Sequence, residues 1–447
     1  MPAMRNALIA GLMAAACAPA FAQTAPLTPI ERAPLAKGAF ESGALGRADG
    51  ALPTDLWRGA DAATLMTLLA AVPSRPDGPG AGAALRRVLL SPGEAPADAT
   101  PALGGAKLKA LVRAGHIEEA RTIAGLSTGV SGDPASNEAL AIADLLSDDR
   151  PAACEKGRRG GAALDAAFWV KLRVVCYAAA NELDAAELAL GILRESGGLG
   201  EADEEILSPL TIGAKLKTPA APIDAVHYAA LKLMGAPITG AQLGRADAGV
   251  VETAARDASF DWPTRLAAAT KAVAMGAMNA ADLKALHAAA PAGVAVAYPA
   301  IAAMSAPELL RDKAALIASD INAAASFDGV YAAALLYTDE IRAIEGAILP
   351  PAESIAFALA ALAAGDAVGA ERWLTAAAPE MLRGLPEDLS MKYIDLAGVL
   401  GVLEPSAAGR IASAANIAIA PPRPAIARPS SRSPKRSISP SASLWRM

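Results

Sequence analysis

An all-α fold, built as an irregular α-solenoid of antiparallel helix pairs, is what this sequence of 447 residues predicts. Three observations carry the expectation. The chain is 53% hydrophobic, but much of that is alanine and only 4% is aromatic, so the β-branched and aromatic runs that strands need are scarce. Apolar residues recur at helical spacing between proline and glycine breaks. A single corner, a glycine or asparagine followed five residues later by alanine, occurs four times: Gly115/Ala120, Asn181/Ala186, Gly276/Ala281 and Gly365/Ala370. Such a corner ends one helix in the left-handed conformation and lets a second approach closely through a small side chain.

Residues 23–53 are rich in proline and glycine and read as an extended N-terminal segment. The helical domain is expected over 54–416, with Thr54 capping a helix that carries Trp57, Leu65, Leu68 and Leu69. DGPGAGAALRRVLL (77–90) contains Gly78-x-Gly80-x-x-Ala83, a pattern also found in dinucleotide loops. That motif needs a buried strand before it, which AVPSRP (71–76) cannot form, so the stretch reads as a loop entering a helix. In LGGAKLKALVRA (103–114) the residues Leu103, Leu108, Leu111 and Val112 approximate one face, and Gly115 ends the helix. Ile117, Ala120, Ile123 and Ala124 resume it, with Glu118 and Glu119 in the first turn, where the helix dipole favours acids.

Asp133-Pro134 opens the next helix as a cap followed by proline at its first position, which also accounts for GVSGD (129–133) as a turn and not a nucleophile elbow. Trp262-Pro263, Ser305 with Glu308, Pro350-Pro351 and Pro386-Glu387 mark further helix starts. The corners at 115, 181, 276 and 365 are not spaced by multiples of one short repeat, hence an irregular array. From 417 onward the chain is rich in proline, serine and arginine and reads as a disordered tail (417–447), either inert or able to meet an anionic surface.

Arg5, the apolar run 7–16 and Ala20-Phe21-Ala22 before Gln23 form an export signal over 1–22, cleaved between Ala22 and Gln23. Cys17 offers an alternative, a lipid-anchored start. No later stretch is long and apolar enough to span a membrane; the best candidate, 291–304, is interrupted by Pro291 and Pro299. The expected location is therefore periplasmic or secreted. There, Cys154 and Cys176 form an even pair open to oxidation, the alternative being two free thiols. The whole chain carries −6; without Arg5 and the tail cations Arg423, Arg428, Arg432, Lys435, Arg436 and Arg446 the body carries −13. An acidic body repels nucleic acid and suits a basic partner.

The corners in LVRAGHIEEA, AAANELDAAE, AMGAMNAADL and LAAGDAVGAE resemble those of tetratricopeptide-like repeats. The export signal, GALGRADGALPTDLWRG (43–59) and the paired cysteines beside FWVKLRVVC (168–176) resemble a group of exported alanine-rich helical proteins of alphaproteobacteria. That resemblance implies a fold and a location but no activity.

Chemistry-bearing clusters are thin. His116, His227 and His287 are far apart and read as surface or cap residues, so no metal or cofactor is expected. Trp57, Trp169, Trp262 and Trp373 read as packing anchors. Glu353-Ser354 resembles the glutamate-serine pair of peptidoglycan-cleaving domains, but sits just after Pro350-Pro351, where a structural acid is favoured. The reading is a non-catalytic envelope scaffold that binds a protein or peptide of the cell envelope. A cell-wall-active enzyme or its remnant, and a surface-tethered structural protein, are the alternatives.

Overall fold

The computed structural model describes residues 37–159, 166–214, 216, 223–291, 310–344, 348–377 and 386–401. Among them are twenty α-helices and no strand; one isolated bridge joins Gly38 to Thr128. In chain order the helices are α1 (Ala62–Ala70), α2 (Pro79–Leu90), α3 (Pro101–Arg113), α4 (Ile117–Leu126), α5 (Pro134–Leu146), α6 (Arg150–Arg159), α7 (Ala167–Ala179), α8 (Leu183–Glu195), α9 (Glu201–Thr211) and α10 (Ala225–Leu233). Then follow α11 (Gly240–Leu243), α12 (Ala248–Arg256), α13 (Trp262–Ala274), α14 (Ala280–Ala288), α15 (Leu310–Ala323), α16 (Phe327–Leu336), α17 (Thr338–Ile344), α18 (Pro351–Ala363), α19 (Ala367–Ala376) and α20 (Glu387–Leu400). The signal (1–22, with Cys17, Ala22 and Gln23), Ser305 with Glu308, the apolar stretch after Pro291 and the tail (417–447) lie outside the described residues.

The described residues divide into two compact units. The first takes residues up to Arg75, Ala84–Ile238 and Arg245–Val250; the second takes Pro76–Ala83, Thr239–Gly244 and Val251 onward. In the first unit α3 packs most extensively on α5, with α4 beside both, and α7 with α8 forms a close hairpin. Residues 38–45 are not a loose extension there: Ala39, Phe40 and Leu45 are buried. In the second unit α18 and α19 form a hairpin closed by an edge-to-face contact of Phe357 and Trp373, ring centres 5.1 Å apart, and α20 packs on both helices.

Each of the four corner residues has positive φ: Gly115 90°, Asn181 62°, Gly276 75° and Gly365 82°. All four share one closing hydrogen bond, including Ala277 to Ala272 at 2.9 Å, and at three of them the next helix starts at once. The residue after the corner donates its N–H five residues back, His116 to Leu111 (2.9 Å), Glu182 to Tyr177 (2.8 Å) and Asp366 to Ala361 (2.8 Å). This closes the ending helix, and at these three corners the same residue is the cap of the next one. Ala120, Ala186 and Ala370 are then the fourth helical residue, fully buried at the seam.

The expectation for Ala281 fails. Ala277 and Met278 intervene before the cap Asn279, so a count of five from Gly276 lands on an exposed second residue, and Leu283 holds the buried position instead. Asp148, Gly197 and Gly235 make further left-handed breaks that the sequence pattern did not single out.

Local capping also differs from expectation at α1. Residues Thr54–Trp57 form only a short 3-10 turn, and Asp61 is the cap, accepting from Thr64 N at 2.7 Å; Leu68 is exposed. The glycine-rich 77–90 stretch is helical from Pro79. Its Gly82 lies so close to Met275 and Gly276 that an added Cβ would sit 2.5 Å from the Met275 carbonyl carbon. At Gly276 an added Cβ would meet the Gly82 oxygen at 2.6 Å, whereas at Gly365 it would meet nothing within 4 Å. Gly365→Ala is therefore expected to cost about 1 kcal/mol, the backbone strain alone. Gly276→Ala should cost about 2 kcal/mol, because overpacking adds to the same strain. Thermal unfolding of both variants checks this; equal losses would show that the Gly82 approach contributes nothing.

Candidate functional site

A cleft of about 290 Å³ opens in the first unit, walled by α3, α5, α7 and the N-terminal ends of α10 and α12. The helices that build it carry the 3.6-residue pattern seen in the sequence: Val112, Ile142 and Leu146 face the cavity and form an apolar floor, joined by Phe168 and Val226. Charged side chains ring that floor. Lys109 pairs with Glu138 across α3 and α5. Arg113 Nε stands 3.9 Å from Asp247 Oδ2, beyond hydrogen-bond distance. Gly249 permits the closure of this corner, since a Cβ there would lie 2.5 Å from the Val112 oxygen. The Asp247 N–H donates to the Ile223 carbonyl (3.2 Å), which sets the 223–224 and 247 backbones side by side and brings Asp224 and Asp247 to one edge of the cleft. Burial raises the Asp247 carboxyl above the usual range; Ser74 and Arg113 oppose the shift, and the neighbouring Asp224 charge adds to it.

Behind the cleft wall lies a buried polar network. Asp203 on α9 accepts from Lys171 Nζ (2.7 Å), from His227 Nε2 (2.8 Å) and from Gly200 N–H (2.7 Å). Burial alone would raise this carboxyl, but the His227, Lys171 and Gly200 donors together outweigh it and hold Asp203 at about 2. Asp224 caps α10 through Val226 N (2.9 Å) and His227 N (3.0 Å). His227 Nδ1 lies 3.3 Å from Asp224 N–H and 3.2 Å from Asp224 Oδ1. A neutral ring accepts from the first, and a protonated ring donates to the second. Both nitrogens of His227 are thus engaged, and the residue is a structural hub buried against α9.

The histidine expectation holds in part: His116 is the cap of α4 and His227 belongs to the capping box of α10, but none of the three sits on the surface. His116 is the residue before α4 yet is 2% exposed, and burial, with Arg86 adding to it, lowers its pKa to about 4. His287 is likewise buried and lowered to about 4 by desolvation. Alanine-rich helices approach closely enough to enclose even residues at helix ends.

Lys107, which the sequence reading passed over, is 4% exposed, and its ammonium donates to the carbonyls of Phe40 (3.0 Å), Ser42 (2.7 Å) and Ser91 (3.1 Å). Burial lowers it to about 8. With three carbonyl acceptors it acts as a tie between α3 and the 38–45 segment.

The remaining predicted residues fall as follows. Cys154 on α6 and Cys176 on α7 are joined as a disulfide, Cα atoms 5.8 Å apart. Trp169 and Trp373 are buried anchors, Trp57 is half-buried against Phe40, and Trp262 is half-buried with the Arg265 guanidinium stacked 4.1 Å from its ring centre. Ser354 is fully buried in α18, and Glu353 occupies the first turn of that helix. Among the described residues no group of three or more His, Cys, Asp or Glu side chains is placed to hold a metal ion, and no helix is long and apolar enough to cross a membrane. The sequence held one local signal for the buried network: Asp224-x-x-His227 has capping-box spacing. Nothing in the order of residues linked it to Asp203 or Lys171. The chain shows significant similarity to no family model, no curated protein and no solved structure.

Proposed function

We propose that this protein is a non-catalytic, exported binding protein that engages a peptide or protein of the cell envelope at the cleft of its first unit. The observation that carries the reading is the cleft itself: an apolar floor ringed by polar groups on three helices and at the starts of two more, supported from behind by a satisfied hydrogen-bond network. Binding sites combine such a floor with a few placed polar groups. Export is supported by the signal-like segment 1–22 and by the Cys154–Cys176 disulfide, which persists in an oxidising compartment.

A photo-crosslinking residue at Phe168, half-exposed at the cleft, tests the reading in cells that make the protein; the same residue at Leu188, exposed on α8, is the control. Adducts of one defined mass are expected from position 168 and not from 188. The same adducts from both positions, or none from 168, would remove the cleft as the binding surface.

A further inference from the structure

The size and charge layout of the cleft go beyond the general reading of a peptide or protein partner, on which this inference rests. A volume of about 290 Å³ lies at the small end of the range for small-molecule pockets. That is too small for a folded surface and suits one amino acid or a dipeptide.

The charges around it are of both signs and unequally engaged. Lys109 and Lys171 are committed to Glu138 and Asp203 at ion-pair distance. Arg113 and Asp247 face each other at 3.9 Å, without a hydrogen bond between them, and their side chains are 37% and 25% exposed. A guanidinium offers a forked donor set suited to a carboxylate. Burial raises the Asp247 carboxyl and the Asp224 charge adds to it, outweighing the Ser74 hydrogen bond and the Arg113 and Arg75 charges. A ligand carrying its own ammonium and carboxylate gives both groups charge-assisted hydrogen bonds at once, which their loose 3.9 Å pairing does not, whereas a singly charged ligand engages only one of them. The floor of Val112, Ile142, Leu146 and Phe168 accommodates an aliphatic side chain.

We infer that the cleft binds a free zwitterion of the amino-acid or dipeptide class, its carboxylate on Arg113, its ammonium on Asp247 and Asp224, and its side chain on the apolar floor. Titration calorimetry of the full-length mature protein tests this with four probes: leucine, alanyl-leucine, N-acetyl-leucine (no ammonium) and leucine amide (no carboxylate). Leucine or the dipeptide should bind at least tenfold more tightly than either blocked form.

Two variants then address the ends separately. Arg113→Gln should abolish the preference over leucine amide while keeping that over N-acetyl-leucine; Asp247→Asn should do the reverse. Failure of both zwitterions to bind, equal binding of all four probes, or preferences unmoved by the two substitutions would overturn the inference. The wild-type comparison stands even where a variant fails to fold. If no zwitterion binds while position 168 still captures a defined partner, this inference falls and the broader reading survives; if capture is lost as well, both fall.

Discussion

Asp203→Ala is expected to destabilise the first unit by about 3 kcal/mol, the lower end of the range for breaking a buried ion pair, because the Lys171 side chain remains 18% exposed and keeps some hydration. The substitution leaves Lys171, His227 and the Gly200 N–H without their common acceptor. The transition temperature of that unit should fall by roughly 6–12 °C in a calorimetric scan.

The carboxyl also predicts an acid response with a definite sign. Its folded pKa, about 2, lies below the unfolded value of about 3.9, so its contribution is complete above pH 4 and is lost as the pH falls through 2. Asp203→Asn, which keeps the shape, should lose that segment of the acid dependence. An unaltered transition temperature in the alanine variant would show that the network is replaceable by water.

Removing the disulfide should have an effect of similar size. Cys154 and Cys176 are 22 residues apart, and a closed loop of that length restricts the unfolded chain by about 3 kcal/mol. The double variant Cys154→Ala/Cys176→Ala and the wild type in excess reductant should therefore unfold at the same, lower temperature. Added reductant should change nothing further in the double variant. A wild type indifferent to reductant would mean that the link contributes nothing to the folded state. Because the bridge holds α6 to α7, and Phe168 and Lys171 of α7 line the cleft, its reduction should weaken any ligand that the cleft holds.

Much of the helical layout was legible residue by residue. Gly115, Asn181 and Gly365 announced helix ends because a left-handed cap tolerates few other side chains, and Asp133-Pro134 announced a start because proline fits the first turn of a helix. Ala281 misled because two extra residues at that corner shift the count and leave the composition unchanged. The candidate site was not legible. Lys109, Arg113, Glu138 and Lys171 are scattered over three helices and Asp224 and Asp247 just precede two more, and each reads singly as a surface charge or a cap. The burial of the three histidines was hidden for the same reason: enclosure depends on which helices meet, and no local pattern reports that.

The sequence by itself determined the helical secondary structure, the positions of four corner breaks, the cysteines available for pairing and the acidic balance of the body. All of these depend on backbone preference, on spacing within a few residues or on composition. Only the tertiary structure decided that Lys107 binds three carbonyls, that Asp203 meets Lys171 and His227, and that opposite charges ring an apolar hollow. Those arrangements come from helix approach distances set by small residues far apart in the chain, and such distances are a property of packing, absent from any single stretch.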